Sequence, residues 1–343
     1  MMSATPRVSI GLPVYNGQRY LEHAVRSLLE QTFADFELIL SDNGSTDDTP
    51  SLCQQFVESD PRVRFYRSPE NQGCAWNYNR VFQLSRGEYF KWAAHDDVCG
   101  PEFLERCVRS LDECPEAAWC HPRTTHIGPS GRTLEDPRLC DISYLDVPEG
   151  KPTRASPRPS QRFRAILFGA HGEVDFYGLI RTKTLRKTAL HLPYYGADKV
   201  LVAELALHGP FCEVPETLFF VRAHTEGSGW LQTAEEQHRF VDTRPKSHLT
   251  STRLNLLVAY LGAIRRAELG WRERTACYAA IVEYLFQVRK WGSVLRKCLG
   301  GTGTGGGYRD LHEQIERDLA EKPEDADSAE HRDANCPVAG RPS

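Results

Sequence analysis

Three ionisable side chains, His95, Asp96 and Asp97, stand side by side in K-W-A-A-H-D-D-V-C-G, residues 91–100. An apolar run precedes them and a helix-like pattern follows. Two adjacent carboxylates repel, so each gains from a cation. A hard divalent ion takes oxygen ligands, and magnesium typically uses one or two carboxylates and completes its shell with phosphates and water. The competing reading is an acidic turn that caps the following helix. Asp42 closes a second apolar run, F-E-L-I-L-S-D, and is followed by the turn Asn43–Gly44 and by Asp47 and Asp48. The latter two suit a helix N-terminus, where acids complement the dipole. Asp42 itself is placed to accept from a base N–H or a ribose hydroxyl. A third cluster, Pro13, Tyr15 and Asn16, ends the run that starts at Val8. Its aromatic can stack on a base and its amide can hydrogen-bond, although a plain strand-to-helix turn reads equally well.

The elements that must position these groups alternate in period. Short apolar runs at 8–13, 36–42, 63–68, 88–94 and 117–127 read as strands. Between them, apolar residues recur at helical spacing, as in Tyr20, Leu21, Ala24, Val25, Leu28 and Leu29. Strands alternating with helices of this length predict an α/β fold with a doubly wound, mostly parallel sheet. In such sheets ligands bind beyond the carboxyl ends of the strands, so the three polar clusters are expected on one rim. The stretch 128–160 is rich in Pro, Arg and Asp and reads as a long excursion. Order is expected to resume at R-F-R-A-I-L-F-G-A, 162–170. Residues 176–185 read as strand and turn, 194–209 as a loop feeding a helix, and 211–224 as a hairpin pair. Residues 250–297 have a helical pattern, and the glycine-rich, then acidic, tail 300–343 reads as disordered.

The chain has 343 residues, of which 40% are hydrophobic and 26% charged, with a net charge of −4. This is an ordinary soluble composition, and the sign of the charge argues against a general nucleic-acid binder. Eleven cysteines without a C-x-x-C pair, and no secretory-type leader, predict reduced thiols in a cytoplasmic protein. Cys99, Cys107, Cys114 and Cys120 raise the question of zinc, but Cys107 falls on the apolar stripe Phe103, Leu104, Cys107, Val108, Leu111 and reads as core. No apolar run approaches the ~18 residues of a membrane span. The C-terminal Y-L-F-Q-V-R-K-W-G-S-V-L-R-K, 284–297, mixes aromatics with Arg289, Lys290, Arg296 and Lys297. It reads first as a solvated face of a packing helix, and second as peripheral contact with a membrane surface.

The ordered set V-S-I-G-L-P-V-Y-N-G, L-S-D-N-G-S-T-D-D-T, N-Q-G…N-Y-N, R-G-E-Y-F and H-D-D resembles the family 2 glycosyltransferases, strongly over about 7–125 and more weakly to about 225. The resemblance implies a GT-A fold in four parts: a nucleotide-sugar-binding half, 1–125; an acceptor-binding and catalytic region of the same domain, 126–230; a helical region, 231–299; and the tail. It implies an inverting hexosyltransferase with a nucleotide-sugar donor, an acceptor hydroxyl on a glycan, lipid-linked glycan or small molecule, and a divalent cation, Mg2+ or Mn2+.

Carried over by residue, Tyr15 lies against the base beside Pro13 and Asn16, Asp42 holds the base, and Asn71 and Asn79 belong to the nucleotide pocket. Asp96 contacts ribose or metal-bound water, and Asp97 binds the metal in the place of the D-x-D motif. His224, after the last strand and beside Arg222, is a further metal ligand. Asp198 is the general base, ahead of Glu204 on the same predicted helix. Trp92 and Trp230 are considered for an acceptor pocket, with core as the simpler reading. The chain departs from its relatives in carrying Tyr78 where many have an arginine, and His95 ahead of the two aspartates, free to touch phosphate or cap the turn. The rival functions are a nucleotidyltransferase, which usually has a glycine-rich basic loop absent from L-P-V-Y-N-G, and a non-catalytic nucleotide-binding module of the same fold.

Overall fold

A computed structural model describes residues 5–169, 174–227, 231, 233–244 and 252–286. Trp230, the basic residues after 286 and the tail 300–343 lie outside the described residues. The chain runs β1 (Val8–Val14), α1 (Leu21–Leu29), β2 (Phe36–Asp42), α2 (Thr49–Ser59), β3 (Val63–Arg67), α3 (Cys74–Gln83), β4 (Tyr89–Trp92), β5 (Val98–Cys99), α4 (Phe103–Glu113), β6 (Trp119–Ile127), α5 (Pro159–Phe168), β7 (Leu179–Arg181), α6 (Thr182–Leu185), α7 (Ala197–His208), β8 (Phe211–Arg222), α8 (Ala234–Val241), α9 (Thr252–Arg266) and α10 (Trp271–Leu285). Together the strands form one eight-stranded mixed sheet in the order β3-β2-β1-β4-β7-β6-β8-β5. Strands β3, β2, β1 and β4 are parallel neighbours, and so are β6 and β8. Strand β7 is antiparallel to both β4 and β6. The sheet thus runs unbroken through the segments expected as donor half and acceptor region.

Every residue of β1 and β2 is buried, as expected of strands covered on both faces. The apolar stripe of α1, Leu21, Ala24, Val25 and Leu28, packs in one layer with the Phe103–Leu111 stripe of α4. Each such buried aliphatic side chain contributes about 1.5–3 kcal/mol. Cys107, Cys120 and Cys99 lie in that core, and the cysteines among the described residues are free thiols. On the other face, α7 is buried nearly all round, because α5 and α9 pack on it and α10 packs on those two. Trp92 is fully buried there, with its Nε1 donating to the Tyr78 carbonyl at 2.9 Å, so it belongs to the core.

Two expectations are corrected. Residues 211–222 form one long strand and no hairpin. Its turn-like Pro215–Glu216 is accommodated by a register shift against β6, where Pro122 pairs with Val214 and Arg123 with Thr217. A proline cannot donate to a ladder but fits a bulge. The chain also does not pass from His95–Asp97 straight into a helix. It first forms β5, an edge strand antiparallel to Phe219–Phe220. The excursion 128–160 folds back along β6 through the bridges Thr124–Ile142 and Ile127–Thr133, and Glu213 accepts from the Ser143 hydroxyl and the Tyr144 N–H.

Candidate functional site

The carboxyl ends of β1, β2 and β4 meet around one cavity of about 930 Å³. The convergence is held by local bonds. The backbone N–H of Asn16 donates to Ser45 Oγ at 2.8 Å, and Asn16 Oδ1 accepts from the Thr46 N–H at 2.9 Å. Asn16 takes a positive φ of 51° to do this, a conformation that asparagine tolerates better than most residues. Asn77 of α3 ties the two strand ends together. Its Nδ2 donates to the Ser41 carbonyl of β2 at 2.7 Å and to the Val14 carbonyl of β1 at 3.4 Å, and its Oδ1 accepts from Ser41 Oγ at 2.6 Å.

Pro13, Tyr15, Asn16, Asn71, His95, Asp96 and His224 all line this cavity. The Tyr15 ring is 42% exposed, an aromatic face open to a ligand. Asn71 Oδ1 is occupied by Asn43 Nδ2 at 3.0 Å and by the Gly73 N–H at 2.8 Å, so this amide shapes the wall. Asp42 is fully buried at the end of β2 and is not itself part of the cavity wall, although Asn43 beside it is. Asp42 Oδ1 accepts from the Ser45 N–H at 3.0 Å. Its Oδ2 lies 3.1 Å from Arg67 Nε, an ion pair that is not aligned as a hydrogen bond. A buried carboxylate oxygen short of a donor is a place for one more N–H or O–H.

The two aspartates of the opening motif part company. Asp96 faces the cavity, and its Oδ2 lies 2.9 Å from His224 Nε2. Asp97 turns to the end of β8, where its Oδ1 accepts from the Arg222 N–H at 2.9 Å, and it is not part of the cavity wall. Burial favours the neutral acid at Asp96, but the neighbouring His95 and the hydrogen bond from His224 outweigh it and hold that carboxyl below its usual range. Burial and the Asp96 charge push the Asp97 carboxyl well above its usual range. Behind them, Arg222 donates from Nε to the Asp96 carbonyl at 2.9 Å and from Nη1 to the Gly128 and Pro129 carbonyls, both at 3.1 Å. His95 packs against Gly17, where an added Cβ would come within 2.7 Å of its ring.

Asn79 stands apart from the cavity wall. It clamps the backbone of His191, donating to the carbonyl and accepting from the N–H, both at 2.9 Å. Asp198 lies in the first turn of α7, after Gly196 at φ 83°. It is not itself part of the cavity wall, though its charge reaches Cys74, which is. Glu204 is buried two turns on, between the Ala189 N–H and the Arg266 guanidinium, at 3.0 and 2.7 Å. That environment is structural.

Two contributors escape sequence reading. Arg67 is the clearer, and its signal was its place at the carboxyl end of β3, directly opposite Asp42 in the register. Helix α8 is the other. Thr233 and Glu236 form a capping box at its start, and Glu236, Arg239, Phe240 and Thr243 line the cavity from above. Thr243 Oγ1 donates to the Asn71 carbonyl at 2.9 Å.

Among the described residues no three His, Cys, Asp or Glu side chains converge as a metal-binding group. Asp96 and His224 therefore suit a cation that keeps water or substrate oxygens in its shell, rather than a closed all-protein site. The buried Nδ1 of His224 has no hydrogen-bond partner, as fits a ring whose setting a ligand completes. No helix among the described residues is long and apolar enough to cross a membrane.

The sequence profile of Glycosyl transferase family 2 matches residues 9–188, just over half the chain. The chain is 37% identical over 109 residues to an uncharacterized glycosyltransferase of Rickettsia typhi, covering 32% of this chain and 33% of that protein. It is 38% identical over 135 residues to the chondroitin synthase of Escherichia coli, covering 39% of this chain and 20% of that one. These matches thus span a third or less of the curated relatives' length. Among solved structures, residues 1–349 of S. aureus TarS in complex with UDP superpose with a TM-score of 0.58 at 15% identity, covering 86% of this chain and 75% of that one. The mannosyltransferase PcManGT from Pyrobaculum calidifontis, in complex with GDP-Man and Mn2+, superposes with a TM-score of 0.50 at 17% identity, covering 93% and 86%. At such identities the structural likeness is one of fold, the GT-A arrangement that the sequence motifs imply.

Proposed function

The chain belongs to glycosyl transferase family 2, and from that premise we propose that it moves a sugar from a nucleotide-sugar to an acceptor hydroxyl with inversion at the anomeric carbon. The observation that carries this reading is the single cavity walled by the three strand-end clusters and by the Asp96–His224 pair. Tyr15 stacks on the base, and Asp42 Oδ2, steadied by Arg67, accepts from it. Asn43, Asn71 and Asn77 shape the wall behind the nucleoside. The cavity elements of 1–125 act as the donor half, and 126–230 supplies the base and the acceptor mouth.

Asp96 and His224 would hold a divalent cation, which when bound offsets the charge of the departing diphosphate. This gives Asp96 the role expected of Asp97. Asp97 instead anchors the end of β8 through the Arg222 N–H, and so holds His224, two residues on, against Asp96. Asp198 takes the proton of the acceptor hydroxyl as its oxygen bonds to the anomeric carbon and the bond to the diphosphate oxygen breaks. Structural relatives bound to UDP and to GDP-Man support a donor of this class.

Thermal unfolding in the presence of UDP, GDP and their sugar conjugates, with and without Mn2+, tests the reading. A ligand at a hundred times its Kd stabilises by about 2.7 kcal/mol. If none shifts the transition with the cation present, donor binding is wrong. Asp198→Asn should abolish turnover and leave that shift intact, and surviving turnover would remove Asp198 as the base.

A further inference from the structure

Tyr78 of α3 and Tyr177 come from segments 99 residues apart, yet their phenolic oxygens meet at 2.8 Å, and both rings line the cavity. Neither ring has slack. Tyr78 packs on His191 and Phe176 at 5.0 and 5.9 Å between centroids, and its carbonyl takes the Trp92 Nε1–H. Tyr177 packs on Phe176 at 4.0 Å, and its carbonyl accepts from Lys91 Nζ at 2.6 Å. Two phenols joined by one hydrogen bond spend one O–H on each other. They keep one O–H and several lone pairs for a third group.

The position of the pair in the cavity says what that third group is. Asp96 and Asp97 lie close enough to act electrostatically on both phenols. One turn before Tyr78 on α3 stands Cys74, which also lines the cavity and in turn feels Asp198. The pair therefore lies in the same cavity wall as Asp96 and Cys74, within reach both of the end assigned to the diphosphate and of the side assigned to the base. In an inverting displacement the transferred sugar must lie between those two places, with attacking and leaving oxygens on opposite faces of its anomeric carbon. A neutral hydroxyl pair suits an uncharged, hydroxyl-bearing ring. A cationic side chain in its place would suit phosphate.

We propose that the Tyr78–Tyr177 hydroxyl pair binds a hydroxyl of the transferred sugar and is the part of the site that recognises the sugar half of the donor. The proposal rests on the glycosyl-transfer reading given above. A polar site built for a hydroxyl loses affinity when one partner is removed, by about tenfold for a neutral hydrogen bond.

The test is calorimetric titration, with Mn2+, of wild type, Tyr78→Phe, Tyr177→Phe and the double variant, each with UDP, GDP, UDP-GlcNAc and GDP-Man. The double variant leaves no lone phenol, so it keeps the test valid should a single variant fold poorly. The expected result is a nucleoside diphosphate affinity within about twofold of wild type, and a nucleotide-sugar affinity reduced about tenfold. Unchanged nucleotide-sugar affinity in the variants overturns the inference alone. An equal loss for diphosphate and conjugate also overturns it, since the pair would then serve the diphosphate. If wild type binds neither nucleoside diphosphate, the glycosyl-transfer reading falls and the inference with it.

Discussion

Asp96 and Asp97 are neighbours in sequence and opposites in use. The chain bends at His95–Asp96 before it enters β5 at Val98. One carboxylate therefore meets the cavity and His224 while the next meets the end of β8. The adjacency was legible, and so was the cationic chemistry it suggests, but which carboxylate faces the ligand depends on where residue 222 ends its strand. Asp96→Asn is expected to lower kcat/KM by roughly 10²–10³-fold at saturating Mn2+, the range for losing an electrostatic contact to the reacting groups. Asp97→Asn keeps an oxygen for the Arg222 N–H and should cost about tenfold or less; steady-state kinetics on the two variants decides between them. Glu37 is a purely structural case. It is buried at the foot of β2 and accepts from Ser9, Arg64 and Arg86. Burial pushes its carboxyl up, but those three partners outweigh it and the net shift is downward. A depressed folded pKa stabilises above the unfolded value of about 4.3 and is lost as the pH falls through the lower folded value. Wild type should therefore lose urea resistance on acidification below about pH 4.3, and Glu37→Gln should flatten that acid limb.

Elements carry a different kind of information. The stripes of α1 and α4 could be read residue by residue because helical period and burial agree. Residues 211–224 could not, since Pro215–Glu216 carries turn chemistry and only pairing with β6 shows that it is a bulge. Helix α8 shows the same limit. Its capping box is local, but its place over the cavity is set by Gly73, which starts α3 at φ 87° and leaves room for the Val241 carbonyl. An added Cβ there would lie 2.4 Å from that oxygen. Gly73→Ala should cost ~1–3 kcal/mol through the strained φ alone. It should also push α8 off the rim, so that UDP or GDP affinity falls while far-UV circular dichroism shows the helices still formed.

At the scale of the whole molecule, one sheet runs through both halves of the chain and carries the strand-end rim of the cavity, and a helical layer backs the second half. Glu204 is the pin of that layer, 1% exposed and bonded to Arg266 of α9 and to the turn before α7. Removing the cation leaves a buried charge without its partner. Because Arg266 is partly exposed, Arg266→Met should destabilise near the lower end of the ~3–5 kcal/mol typical of such losses. The measure is the chemical denaturation midpoint. Nucleotide affinity of the folded fraction should stay at the wild-type value, because no part of this pair touches the cavity. The same reasoning explains why Glu204, an acid on the predicted catalytic helix, was a weaker candidate than its chemistry suggested.

The strand-end clusters Pro13–Asn16, Asp42–Ser45 and His95–Asp97 needed no structure to be placed on one rim. Parallel strands with helical returns put their carboxyl ends on the same edge whatever the details of packing. The family motifs are local for the same reason. Tertiary structure alone decided the pairs that join distant segments: Asp96 with His224, Asp42 with Arg67, Asn79 with the His191 backbone, Tyr78 with Tyr177. Each depends on the register of a neighbouring strand or the path of a returning loop, and a side chain's own sequence neighbourhood contains no term for either.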